Sequence, residues 1–286
     1  MAEARCPASC GELLQGWILG GERLISCPID WFSYVCINEG KPLRSERPRM
    51  RQMLKSVLHY LDYPATLAAQ LQIDFYSSIP VGKGLASSTA DIAATAQATA
   101  RFLGHELRHQ ELAKLCVAIE PTDSTIFNDL TLFDHRKGDV LHTFTHFPKV
   151  EILLLESPEV VLTQDYHKLD REHYLLANQT QLMQAWQLMQ TACDTQDPRR
   201  LGEATTLSAA ASQSLLAKPH FEQFMRLIDE TGIYGLNVAH SGSVVGLLYD
   251  SLHHDRDHLL WWLQAHNITQ AYPTIHQVTM INGGVH

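Results

Sequence analysis

Basic residues are scarce: 22 Lys and Arg stand against 31 Asp and Glu, for a formal net charge of −9. A dominant nucleic-acid surface needs clustered cations to displace counterions, so that class of function is set aside. The densest basic stretch, Lys41 to Lys55 with Arg44, Arg47, Arg49 and Arg51, is short and broken by prolines. It reads as a solvated loop leading into a helix, with an anion or partner contact as the alternative. No apolar run approaches the roughly 20 residues of a membrane span. The opening, MAEARCPASCGELLQG, lacks the basic end and apolar centre of a signal peptide. The cysteines, at 6, 10, 27, 36, 116 and 193, form no CxxC pair and no zinc-ribbon spacing. Cys6 and Cys10 alone are a weak metal signal, and free thiols in a reducing cytosol suit the set better. A cytoplasmic enzyme or binding protein is the expectation. Internal repeats and low-complexity linkers are also missing.

What is present is ordinary globular material. With 286 residues, 45% of them hydrophobic and 19% charged, the chain can bury one large core or two moderate ones. Around Gly20-Gly21 the run WILGGERLI predicts a hairpin, and WFSYVCI is rich in strand formers. Met50, Met53, Leu54, Val57, Leu58 and Leu61 fall at helical spacing. LAAQLQIDFYSSI predicts a strand that delivers the chain to a glycine-rich stretch, after which an Ala-rich helix runs over 88–103 and stops at Gly104. A further helix is predicted over 109–119, then a hairpin from LTLF and DVLHTF around DHRKGD, then a buried strand in VEILLLES. Residues 170–230 are mostly helical, and a strand–turn–strand–helix–strand pattern closes the chain. The boundary falls near residue 150, giving domains 1–150 and 151–286. Strands and helices mix without a regular βαβ rhythm, so the class is α+β.

The stretch SIPVGKGLASSTADIAATAQATARFLG carries the chemistry. Glycines let a backbone approach an anion and turn sharply, and the helix that follows adds free N–H groups and the positive end of its dipole. Hydroxyls at Ser87, Ser88 and Thr89 can donate to phosphate oxygens or take a place on Mg²⁺. Neither GxxxxGK[ST] nor GxGxxG occurs here. The residues alone leave an anion cradle and a plain capped turn both open.

PVGKGLASSTA resembles the second motif of the GHMP kinases (galactokinase, homoserine, mevalonate and phosphomevalonate kinases), in Pro80, Gly82, Gly84, Leu85, Ala86, Ser87, Ser88, Thr89 and Ala90. CPASCGELLQG resembles a diverged first motif, and NVAHSGSVVGLL the glycine-rich third, with Ser241, Gly242 and Ser243 in place of the commoner glycine and alanine run. The three stand in the family's order and span nearly the whole chain. ARCPASCGELLQG, SCPIDWFSYV and IEPTDSTIFNDL together look like the L-threonine kinase branch. The resemblance implies a two-domain fold, an N-terminal ribosomal-protein-S5-like α/β domain followed by a ferredoxin-like α+β domain. It also implies ATP and Mg²⁺, and phosphorylation of L-threonine to O-phospho-L-threonine for the aminopropanol arm of cobalamin.

By that resemblance residues 80–90, Val81 and Lys83 included, bind the nucleotide, and Ser87 with Glu120 shares the Mg²⁺. Asp123 is metal holder, substrate orienter or proton acceptor; the bland alternative for PTDS is an N-cap. Thr89 is a phosphate donor or part of the first helical turn, and Lys83 points at the triphosphate or at water. Ser241 and Gly242 face the phosphates or substrate, or else form a tight turn. An amino-acid zwitterion needs a carboxylate and a cationic or amide donor, and Ser9, Glu12 and Asp30 lie in segments that flank the substrate in relatives. A competing motif, HELRH at 105–109, matches HExxH. Gly104 directly before it and the lack of a third ligand downstream argue against zinc hydrolysis.

Overall fold

In the computed structural model, residues 1–159 and 172–286 are described. The hairpin around Gly20 is far longer than its local pattern suggests: β1 (Ala2–Ile18) and β2 (Gly21–Glu39) pair from Ala2↔Ile37 to Ile18↔Gly21. The extra length is the first motif, which is itself strand. It is an irregular one, with register shifts at Pro7/Ala8, Ser9/Glu12 and Glu12/Leu14, and with Gly11 at φ 60. Bulges re-aim the side chains that follow them, and here Glu12 is turned into a cavity.

β3 (Leu71–Ser77) pairs with β2, and β4 (Leu130–Asp134) with β5 (Asp139–Phe144) forms the hairpin around residues 135–138. β6 (Glu151–Glu156), β7 (Gly235–Val238), β8 (Val245–Tyr249) and β9 (Thr274–Thr279) complete the sheet. Its order is β5-β4-β2-β1-β7-β8-β6-β9, with β3 beside β2 off that path, and every pairing is antiparallel. Strands from before residue 150 thus occupy one side and those after it the other, joined where Glu12 of β1 meets Val238 of β7.

Helices α1 (Pro48–Tyr60), α2 (Ser87–Phe102) and α3 (His109–Val117) serve the first side. The alanines of α2 let it sink between its neighbours, so that every residue from Thr89 to Ala100 is buried, against β1, β2 and α1. HELRH straddles the start of α3: His105 lies edge-on to Tyr63 and Glu106 pairs with Arg101 at 2.8 Å. The second side carries α4 (Glu172–Ala177), α5 (Gln179–Thr195), α6 (Pro198–Ser212), α7 (Phe221–Thr231), α8 (Arg256–Ala265) and α9 (Ile268–Ala271). α5 and α6 pack on β1, so the larger hydrophobic cluster crosses residue 150, while a smaller one sits among β6–β9 and α7–α9. The last residues return to the first side, where Arg5 and His286 exchange backbone hydrogen bonds of 2.8 and 2.9 Å.

Candidate active site

A cavity of about 320 Å³ opens at the junction of the two sides. One wall is the loop before α2, lined by Val81, Gly82, Gly84, Leu85, Ala86, Ser87, Ser88 and Thr89. Gly82, Gly84 and Ala86 have φ values of 75, 81 and 59, while Lys83 and Leu85 between them are not left-handed. Alternating handedness of this kind turns successive N–H groups toward one point and makes an anion-binding concavity. Ala86 carries a Cβ in that conformation, a strained state of the sort that collects at functional sites. The loop is held from behind: Ser9 N donates to Leu85 O at 3.1 Å, and Ala90, wholly buried, donates its N–H to Ala86 O at 2.9 Å. Pro80 leads into the loop without lining the cavity.

Opposite the start of α2, Glu120 presents its carboxylate. Arg49 Nη1 lies 2.8 Å from its Oε2 and donates to Ser88 Oγ at 3.2 Å. The other oxygen, Oε1, is buried with no hydrogen-bond partner among the described residues. Burial raises the Glu120 pKa, against the Ser88 hydroxyl and the Arg49 charge, which lower it. A buried carboxylate oxygen left open, beside a serine hydroxyl and an anion cradle, fits a hard divalent cation, so Mg²⁺ suits Glu120. Ser88 Oγ shares the Arg49 guanidinium with Glu120. Ser87, to which the sequence pattern assigns the metal, lines the cavity one residue earlier.

Asp123 begins a short 3₁₀ turn at Ser124–Ile126, yet its side chain caps nothing. Its Oδ2 accepts from Thr89 Oγ1 at 2.8 Å, and its own N–H donates back to that hydroxyl at 3.2 Å. Thr89 therefore orients Asp123, and its hydroxyl proton is committed there. Ser26 and Ser124 exchange backbone-to-hydroxyl bonds of 2.8 and 3.0 Å, fixing the Asp123 segment to β2. Glu12 faces Asp123 from β1, 2% exposed. Burial raises the pKa of both carboxyls. For Glu12 the Asp123 charge raises it further, whereas Thr89 and His240 pull Asp123 back down. Of the two, Glu12 is pushed up more strongly, because burial and the Asp123 charge act in the same direction, while Thr89 and His240 favour the charged form of Asp123.

The third motif closes the cradle from the second side. Ser243 N donates to Lys83 O at 3.1 Å, and Gly242 packs so close to Gly84 that a Cβ on Gly242 would lie 2.2 Å from Lys83 O and 2.4 Å from Gly84 Cα. Ser241 lines the cavity, and Lys218, buried, donates to Gly242 O at 2.8 Å from behind, with its pKa lowered to about 8 by burial. Lys83 points neither at the cavity nor at water: Nζ is held by Ser157 O at 2.7 Å and Glu159 O at 3.2 Å. Two of the three residues expected around the acceptor lie elsewhere. Ser9 Oγ bonds Gly11 O and Cys27 O at 2.5 and 3.3 Å, and exposed Asp30 accepts from Thr279 N at 3.1 Å; neither lines the cavity. Arg49, His135 and His240, by contrast, line it unforeseen. Arg49 sits in a stretch that reads as solvated, and the histidines come from turns whose meeting only the sheet order reveals.

The GHMP kinases N terminal domain family matches residues 50–128, which hold the cradle, Glu120 and Asp123. Over 285 residues the chain is 54% identical to an L-threonine kinase of Salmonella typhimurium, covering 100% of this chain and 95% of that one. The chain belongs to the GHMP kinases. A Citrobacter freundii L-threonine kinase is 52% identical over 285 residues, covering 100% of this kinase and 99% of the relative. Among solved structures, mevalonate diphosphate decarboxylase from Staphylococcus aureus superposes with a TM-score of 0.73 at 15% identity, covering 100% and 97% of the two chains. Mevalonate kinase from Methanococcus jannaschii gives 0.66 at 16% identity, covering 98% of each. These likenesses show that this kinase has the GHMP kinase fold.

Proposed function

We propose that this GHMP kinase transfers the γ-phosphoryl group of ATP to the side-chain hydroxyl of L-threonine, giving ADP and O-phospho-L-threonine. The reading is supported by the high identity, over the whole chain, to proteins named L-threonine kinase. The observation that carries the chemistry is the convergence, in one cavity, of the N–H cradle, Glu120 with an open oxygen, and the Thr89-oriented Asp123.

Phosphoryl transfer asks a protein chiefly for positioning and charge neutralisation. The backbone of residues 82–88 receives the phosphate tail, and Glu120 with Ser88 would hold the Mg²⁺. That ion, when bound, offsets the charge that builds on the phosphate oxygens. The acceptor oxygen forms a bond to the γ-phosphorus as the bond from that phosphorus to the bridging oxygen breaks, and the electron pair leaves with ADP. The hydroxyl proton passes to Asp123, which Thr89 aims and whose charged form Thr89 and His240 favour. His135 and His240 line the same cavity and offer imidazole donors for the carboxylate of an amino-acid acceptor.

The test is an acceptor screen with Mg·ATP and L-threonine, L-homoserine, L-serine or mevalonate, following ADP and identifying the product by mass. Threonine is expected to give the highest kcat/KM. Preference for homoserine would move the assignment to another branch, and failure with every alcohol would remove the kinase reading.

A further inference from the structure

We propose that Glu22, His135 and His240 form a binding site for a divalent transition-metal ion of the zinc class, separate from the magnesium position at Glu120. One ligand atom from each lies within 4.8 Å of the others, and His240 Nε2 is 3.7 Å from Glu22 Oε1. The two imidazole rings meet edge-on, 5.0 Å between centroids.

The backbone brings these groups together. β2 and β4 pair antiparallel through Leu24↔Phe133, a register that sets Glu22 across from His135, two residues along each strand. His135 is then fixed by Thr122, whose N–H donates to His135 O at 3.0 Å. His240 follows two residues after Val238, the β7 residue paired to Glu12. His135 is 1% exposed, and the side chains of Glu22 and His240 are 11% and 10% exposed, so the cluster is no accident of solvent-exposed rotamers.

Two imidazoles and a carboxylate are the donors that zinc and its neighbours prefer, whereas magnesium seeks oxygen alone. Tetrahedral bonds of about 2.0–2.1 Å require ligand atoms about 3.4 Å apart, close to the 3.7 Å between His240 Nε2 and Glu22 Oε1. Three protein ligands leave one position open. His135 and His240 line the same cavity as Asp123, so that position opens onto the space the acceptor would enter. Loading is expected to raise KM for the acceptor and to leave KM for ATP unchanged. The existence of the site does not depend on which alcohol is phosphorylated.

The experiment uses untagged, chelator-stripped protein without nucleotide, titrated with ZnCl₂ by calorimetry and with CoCl₂ by visible absorption. Wild type should bind one ion per chain and show the intense d–d bands of low-coordinate cobalt. Glu22→Gln and His240→Ala should each weaken binding by more than about tenfold, as loss of a direct ligand must if outer-shell losses alone cost that much. Glu120→Ala should bind zinc as wild type does. Circular dichroism checks folding, and either of the first two variants decides the matter if the other does not fold. No stoichiometric binding by wild type, unchanged binding in a folded Glu22→Gln or His240→Ala, or loss of binding in a folded Glu120→Ala would each overturn the proposal.

Discussion

Adding one methyl group at Gly242 should separate the two loops that close the phosphate cradle. The new Cβ would stand 2.2 Å from Lys83 O, 2.4 Å from Gly84 Cα and 2.5 Å from Gly84 N, all of them backbone, so no side chain can swing aside. Restoring an ordinary contact of 3.4 Å moves the third-motif loop by about 1.2 Å. That displacement stretches the 3.1 Å bond from Ser243 N to Lys83 O beyond hydrogen-bonding range. A misplacement of about 1 Å typically costs a factor of about 100 in rate, or about 2.7 kcal/mol at the transition state. Gly242→Ala should therefore lower kcat/KM for Mg·ATP by about two decades, measured by coupled ADP release. Gly104→Ala is the control. Gly104 has φ +80, but a Cβ added there would meet nothing within 4 Å, so the change brings backbone strain without a clash. It should lose about 1–2 kcal/mol of stability and keep its activity. A Gly242→Ala enzyme within twofold of wild type, or a Gly104→Ala enzyme equally crippled, would refute the reasoning.

Other outcomes follow from the same geometry. Glu120→Ala should cut kcat by roughly two to three decades, the usual loss for a charge-stabilising group, with thermal stability retained; normal turnover would show that the open oxygen holds no metal. Glu12→Gln should stabilise the protein increasingly as pH rises. Its pKa is raised in the folded state, so wild-type stability is greatest below the ordinary carboxylate value and declines as pH climbs through the folded value. Denaturant melts at pH 5 and pH 8 should show a gain at the higher pH on the order of 1–3 kcal/mol. Lys83→Met should leave KM for ATP near the wild-type value, because Nζ is spent on Ser157 and Glu159 carbonyls; a large rise in KM would place that ammonium on the phosphates.

Much of this was legible because local signals and distant ones agreed. The helices at Pro48–Tyr60, Ser87–Phe102 and His109–Val117 follow from apolar spacing and glycine stops, and the β4–β5 turn from DHRKGD. CPASCGELLQG gave no such signal. Its alanines, cysteines and glycine break the alternation of a strand, and only pairing to both β2 and β7 makes it one. Site residues divide the same way. The cradle is contiguous and carries its own chemistry, so glycines and hydroxyls mark it. Arg49 acquires meaning only because α1 lies across from Glu120, a contact 71 positions away in sequence that no spacing rule reveals. Thr89 was ambiguous for a related reason: its hydroxyl could serve phosphate or carboxylate, and the choice depends on where the turn after α3 brings Asp123.

The single paired position between β1 and β7, Glu12 against Val238, has a thermodynamic corollary. On the proposed reading, a nucleotide in the cavity would act as a clasp, because the cradle lines that cavity from one bank and Ser241 from the other. At a free concentration one hundred times its dissociation constant, such a ligand adds about 2.7 kcal/mol to the folded state. That sum adds to the packing of α5 and α6 on β1, which already ties the two flanks into one hydrophobic cluster, so nucleotide should raise one shared melting transition.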